Sequence, residues 1–371
     1  MSFRVTAVGE QTSLADRKRR AGQRLVIGLA STAVDAEFKA LVKRIQPAGF
    51  ILFARNVEEP AQVIELNREL SSLLPQALPP LLTVDQEGGR VQRIREGATK
   101  FPPLRWLGNT QNAELTREHA RFLAAEVAAL GFHLNWAPVA DVDSNPKNPV
   151  IGDRSFGRDP QQVAQQVATW IQATQAAGII ACAKHFPGHG DTSVDSHLDL
   201  PVVEKEAPEL EEVELAPFRG AIRAGVAAIM TAHVVYPEWD EHHPATMSSK
   251  ILRGILREKL GFKGLLVSDD MEMKAVRGRY PLEEQLFKAT RATVDIFLCC
   301  ESPDLQLEAY ENLVHLQESD PLYDQLMMDS DRRLLTVRER FLKSPPQRDP
   351  QLLGASAHTN LALKIRALGE S

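Results

Sequence analysis

Eight short apolar runs, each followed by a loop and then a segment of helical period, organise the chain from Arg24 to Cys300. The runs are RLVIGLA from Arg24, GFILFA from Gly49, PLLTV from Pro80, HLNWAPV from His133, IIACA from Ile179, AAIMTA from Ala227, GLLVS from Gly264 and DIFLCC from Asp295. Between them lie amphipathic stretches such as AQVIELNRELSSLL from Ala61, TREHARFLAAEVAAL from Thr116, QQVAQQVATWIQATQAA from Gln161 and SKILRGILREKL from Ser249. A run that is apolar on both faces suits a buried parallel strand, and strand–helix alternation supplies the crossovers that parallel strands need. Eight such units over roughly 290 residues predict a single α/β domain, a (β/α)8 TIM-type barrel with insertions. A doubly wound open sheet is the alternative. The expected boundaries are a polar leader over 1–22, the barrel over 23–320, and a C-terminal helical extension over 321–371 packed on the barrel. One helix near 305–317 completes the eighth unit. A second is expected near 329–343, ended by PPQRDP, and a closing helix falls within 351–371.

A barrel makes a demand on the sequence: functional side chains belong at the C-terminal ends of the strands. Polar residues do follow six of the eight runs. They are Asp85 after the third; Asp141, Asp143 and Arg154 after the fourth; Lys184 and His185 after the fifth; His233 after the sixth; Asp269 and Asp270 after the seventh; and Glu301 after the eighth. This reads as a ring of substrate ligands. Asp269 and Asp270 are adjacent on a strand, so they are expected to point to opposite faces. Glu87 and Arg90 read as structural support, and Gly88 and Gly89 as a tight bend.

The densest polar stretch is KHFPGHGDTSVDSH, from Lys184 to His197. It leaves an apolar run and contains Pro187, Gly188 and Gly190, so it predicts a strand end feeding a long, bendable loop. Asp195 lies two residues from His197. A carboxylate there can hold one ring nitrogen and leave the other for proton transfer. Two plainer readings stand beside this one. His185 and His189 could be satisfied hydrogen-bonders, and His185, His189 and His197 could ligate a metal in an H-x3-H-x7-H spacing. Zinc enzymes usually place two His on one regular element, which this loop does not do.

The motifs resemble those of glycoside hydrolase family 3, in its β-N-acetylglucosaminidase branch of the NagZ type. KHFPGHGDTSVDSH is similar to that branch's signature, VDQEGGRVQRI to its third-strand motif, GDRSFG to a further motif, and GLLVSDDMEMKA to its nucleophile strand. The resemblance implies a (β/α)8 barrel that cleaves terminal N-acetyl-β-D-glucosamine from muropeptide fragments of the cell wall. It implies sugar contacts from Asp85, Arg93, Arg154, Lys184 and His185. It makes Asp269, directly after Ser268, the catalytic nucleophile and His197 the acid/base, with Asp195 orienting it. It implies retention of configuration and no metal or organic cofactor. Many larger members carry a second α/β domain, for which 371 residues leave no room, as in the single-domain branch.

Composition narrows the partners. The chain is 43% hydrophobic and 25% charged, with net charge −6 and pI near 6.0. Its basic residues are spread out, so no nucleic acid is expected. No apolar run approaches the ~18 residues of a membrane span, so no membrane partner is expected. The N-terminal stretch lacks the apolar core of a signal peptide, and the expected location is cytoplasmic. Cys182, Cys299 and Cys300 all sit in apolar runs and read as buried thiols. Competing functions are a phosphorylase on the same scaffold, a β-glycosidase of broader specificity, a non-catalytic sugar-binding protein and a metal-dependent barrel hydrolase.

Overall fold

The computed structural model describes residues 13–193, 200–346 and 348–370. Each of the eight apolar runs contains a strand: β1 Leu25–Gly28, β2 Gly49–Leu52, β3 Leu81–Val84, β4 Leu134–Asn135, β5 Ile180–Phe186, β6 Ala228–Thr231, β7 Leu265–Asp270 and β8 Ile296–Cys299. Neighbours pair in parallel and in chain order, and β1 closes on β8 with Leu25 opposite Phe297. The sheet is a closed (β/α)8 barrel, not the open sheet.

The two-residue period of the strands divides each run between two cores. Val26, Ile51, Leu81, Leu134, Ile180, Met230, Val267 and Leu298 pack inside the barrel. Leu25, Ile27, Phe50, Leu82, Ala181, Ile229, Leu266 and Phe297 face the surrounding helices. Crossover helices include Ala36–Ile45, Pro60–Ser72, Ala113–Ala129, Pro160–Ala176, Leu215–Arg223 and Leu282–Arg291. Most begin with their own signal. Asp35 and Asp159 accept the N–H three residues on, and Pro60 and Pro160 occupy the first turn.

The barrel's lower mouth is closed. Helix Pro321–Phe341 packs Leu334, Val337 and Phe341 into the same cluster as the barrel interior. It is anchored by Arg333 and Ser330 on the buried Asp295 and by Arg338 on the Ala48 carbonyl. This helix starts eight residues before the expected 329, with Asp320 as its cap and Pro321 in its first turn. Helix Pro303–Ser319 completes the eighth unit, and Ser356–Gly369 packs on helices Leu104–Thr110 and Ala113–Ala129.

Of the expected polar leader over 1–22, residues 1–12 lie outside the described residues. Ser13 caps a helix over Leu14–Gly22 that packs on Pro303–Ser319 and Pro321–Phe341. Arg20 pairs with Asp324 at 2.8 Å and Arg19 with Asp331 at 3.1 Å. Its polar sequence is therefore satisfied by ion pairs with residues some three hundred positions away, which local patterning cannot reveal. Among the described residues, no helix is long and apolar enough to cross a membrane.

Candidate active site

With the lower mouth filled, the upper, C-terminal face holds a cavity of about 210 Å³. Its floor is the top layer of the barrel interior: Ile51, Trp136, Met230 and Leu298. Its polar walls are Asp85, Glu87, Arg93, Arg154, Lys184, His185, His189, Asp269 and Asp270. Pockets for drug-sized ligands run to ~300–1,000 Å³, so this one suits a single small ring.

Asp85 immediately follows β3, and a short hairpin of Gln86–Gly88 with Val91–Gln92 then turns the chain back. Gly88 and Gly89 take φ of +99° and +56°, and a Cβ on Gly89 would meet Pro103 at 2.8 Å, so the bend needs glycine. The Asn135 side-chain amide bonds both the N–H and the C=O of Gln86, which extends the pairing of β3 with the short β4. Gln86 Oε1 in turn accepts from the N–H groups of Arg93 and Ile94. Arg93 is thereby returned to Asp85, 3.3 Å away, and its guanidinium lies over the Phe53 ring.

These residues form one charge network. Lys184 Nζ lies 2.7 Å from both Asp85 Oδ1 and Glu87 Oε1. Arg154 grips Glu87 bidentately, at 2.8 and 2.9 Å. Burial works to raise the Glu87 carboxyl, but Arg154 and then Lys184 hold it well below the usual carboxylate range. Glu87 therefore fits the expected supporting role and also lines the cavity. Arg90 is half exposed at the rim, paired with Asp153.

Asp269 sits near the end of β7. Burial opposes its ionisation, yet the charges of His185, then His233, together with the Asp270 N–H, lower its pKa. Asp270 has other surroundings: burial pushes its carboxyl up to about 7, with Glu272 and Asp269 adding to the rise. Asp269 and Asp270 both line the cavity, and Asp270 Oδ1 accepts the Glu272 N–H.

Four further expectations need correction. Asp141 is wholly buried and binds His185 and His189 instead of lining the cavity. Asp143 is spent on Arg105 and Arg158. His233 lies beneath the end of β7, between Thr246 and the Asp270 carbonyl. Glu301 is 71% exposed and pairs with Arg55. A strand-end position announces a loop residue but not the direction of its side chain.

The first part of the polar loop is pinned. Asn148 donates to the carbonyls of His189 and Gly190, and Tyr236 to that of Gly188. Asp195 and His197 lie outside the described residues. The other six expected site residues, Asp85, Arg93, Arg154, Lys184, His185 and Asp269, line the one cavity. His189, Trp136, Met230 and Cys300 were not foreseen there. Of these, only His189 carried a signal, its place in the polar stretch. All three cysteines are free and buried. Among the described residues, no group of three or more His, Cys, Asp or Glu could hold a metal ion.

Comparison with known proteins finds relatives over most of the chain. The β-hexosaminidase of Nitrosomonas eutropha is 37% identical over 334 residues, 86% of this chain and 94% of its own. That of Thiobacillus denitrificans is 40% identical over 295 residues, 78% and 81% of the two chains. A glycoside hydrolase family 3 β-N-acetylglucosaminidase from Paenibacillus sp. str. FPU-7 superposes with a TM-score of 0.90 at 36% identity, over 95% of this chain and 68% of that one. NagZ from Neisseria gonorrhoeae, in complex with N-trifluoroacetyl-D-glucosamine, gives 0.74 at 32% identity, over 93% and 98%. Residues 18–337 match the glycosyl hydrolase family 3 N terminal domain, and the chain belongs to that family of glycoside hydrolases.

Proposed function

We propose that this enzyme is a retaining exo-β-N-acetylglucosaminidase that removes terminal N-acetyl-β-D-glucosamine from peptidoglycan (muropeptide) fragments in the cytoplasm. The carrying observation is the allocation of charge in the cavity. Asp85 and Glu87 are occupied by Lys184, Arg93 and Arg154, and Asp270 is poised between its neutral and ionised forms near neutral pH. Asp269 is the carboxylate kept ionised beside His185, and its Oδ1 accepts from the Asp270 N–H. The names of the relatives and the one-ring size of the cavity support the same reading.

In this mechanism the Asp269 carboxylate attacks the anomeric carbon as the glycosidic C–O bond breaks. His197, oriented by Asp195, gives its proton to the departing oxygen. Water then attacks the anomeric carbon and passes a proton to His197, releasing Asp269. Two inversions give retention. Asp85, Arg93, Arg154, Lys184 and His185 hold the sugar through hydroxyl contacts, for which ionised carboxylates and forked or cationic donors are suited. No cofactor takes part.

The test is turnover of p-nitrophenyl N-acetyl-β-D-glucosaminide against a panel of other β-glycosides, with and without phosphate. Hydrolysis independent of phosphate is expected, with Asp269→Asn slower by several orders of magnitude. A fluorinated glycosyl donor should trap an ester on Asp269, and a label on Asp270 would overturn the choice of nucleophile. His197→Ala should slow substrates with poor leaving groups most. Equal slowing of activated and unactivated substrates would place the acid elsewhere.

A further inference from the structure

The mechanism leaves Asp141 without a role, although its place is unusual. It is a carboxylate with no exposed surface, two residues past the fourth apolar run. Oδ1 accepts the backbone N–H of His185 at 3.0 Å and that of His189 at 2.7 Å, and Oδ2 meets His185 Nδ1 at 2.8 Å. Among the described residues, no lysine or arginine forms an ion pair with it. Such a carboxylate is tolerable only when its partners satisfy it fully.

The geometry also orders the His185 ring. Asp141 does not line the cavity and His185 does. Nδ1 is turned away, onto the carboxylate, so the Nε2 edge is what the cavity presents to a ligand, beside Lys184 and Asp269. An ionised carboxylate only accepts, so the proton of this bond sits on Nδ1. His189, whose ring centroid is 5.8 Å from that of His185, cannot take over as a charged partner, because burial, then His185, brings it down to about 4.

We propose that Asp141 is a positioning residue for the reaction: it locks His185 with Nδ1 protonated and Nε2 committed to the sugar. The inference rests on the glycosidase reading above and deepens it. It makes the ends of β4 and β5 a single unit, in which one buried oxygen fixes two backbone N–H groups and the other fixes a ring.

The isosteric variant gives a sharp consequence. In Asp141→Asn, the two backbone N–H groups require the amide oxygen at the Oδ1 position. The amide NH2 must then face His185 Nδ1 and donate to it. The ring is forced to the opposite tautomer, with hydrogen on Nε2. Serine proteases show the size of such an effect, where Asp→Asn behind a catalytic imidazole lowers kcat about 10⁴-fold, and outer-shell partners of metal-bound histidines give 10–100-fold. A loss of kcat/KM of roughly 10²-fold is expected here.

The experiment is ¹⁵N NMR of histidine-labelled protein near pH 7, with the His185 signal identified by its absence in His185→Gln, alongside kinetics. Wild-type protein should show a protonated Nδ1, and Asp141→Asn a neutral ring protonated on Nε2 with kcat/KM reduced at least tenfold. A wild-type His185 carrying its only proton on Nε2 overturns the proposal whether or not the variant folds. So does a flipped tautomer with unchanged kcat/KM. The tautomer is read without substrate, so a wild-type protein that turns over no β-glycoside counts against the glycosidase reading and leaves the lock on His185 separately measured.

Discussion

Replacing Glu87 by Gln keeps the shape of the side chain and removes its charge from between Arg154 and Lys184. Both cations are then left short of a partner, and an amide NH2 faces one of them. The side chains of Lys184 and Glu87 are only 3% and 1% exposed, so water cannot compensate. Breaking a buried pair on one side costs about 3–5 kcal/mol. At roughly 2 °C per kcal/mol for a chain of this size, the variant should melt roughly 6–10 °C below the parent at pH 7. The pH dependence is a second signature. The folded-state pKa of Glu87 is depressed by Arg154 and Lys184 against its burial. Its contribution is therefore complete above the unfolded value of about 4.3 and lost as pH falls toward the folded value. The variant lacks that slope, so the gap should close by roughly 1.4 kcal/mol per pH unit below about pH 4. Scanning calorimetry from acid to neutral pH reads both effects, and KM should rise as Arg154 and Lys184 lose their alignment. A gap under about 1 °C at pH 7, or one that does not narrow in acid, would refute the reasoning.

Asp270→Asn tests the opposite sign. The raised pKa of Asp270, about 7, means its stabilising contribution is present below about 3.9 and lost as pH rises through about 7. The variant should thus gain stability over the parent from pH 4 to pH 8, and an equal melting offset at both would contradict this. Phe341→Ala removes a side chain, 4% exposed, that plugs the lower mouth. It should cost about 3–5 kcal/mol, read by denaturant titration, while kcat/KM below the melting range stays unchanged. Gly190→Ala would place a Cβ 1.5 Å from the Val142 carbonyl oxygen. The displaced loop base should lower kcat/KM by roughly 10²-fold, and wild-type kinetics would show that the loop tolerates the shift.

The strands were legible because each is buried on both faces. An apolar run in this chain had one use, and all eight runs contain a barrel strand. Helix starts were missed where the cap was not read: the expectation began the last long helix near 329, whereas Asp320 and Pro321 mark its start. The Leu14–Gly22 helix was not read, although Ser13 caps it; its ion pairs with Asp324 and Asp331 lie beyond any local pattern. Position along the chain also identified six residues that share the cavity. It could not separate residues facing the cavity from those beneath it. Asp141, Asp143 and His233 occupy strand ends no different in sequence from those of Asp85 and Asp269.

That distinction matters because the chemistry depends on how charge is shared, which is a property of the assembled ring. By position alone, Asp85, Asp141, Asp269 and Asp270 are acids at strand ends, with Glu87 just beyond one. In three dimensions, Asp85 and Glu87 balance cations, Asp141 accepts two backbone N–H groups and meets His185 Nδ1, and burial raises Asp270. A nucleophilic carboxylate must be ionised yet not consumed by a salt bridge, and only long-range neighbours can arrange both. His185, then His233, lower the pKa of Asp269, with a smaller contribution from Lys184, itself held by Asp85 and Glu87. The loss of any one of these acids should therefore be felt at Asp269, even where the lost group never touches the sugar.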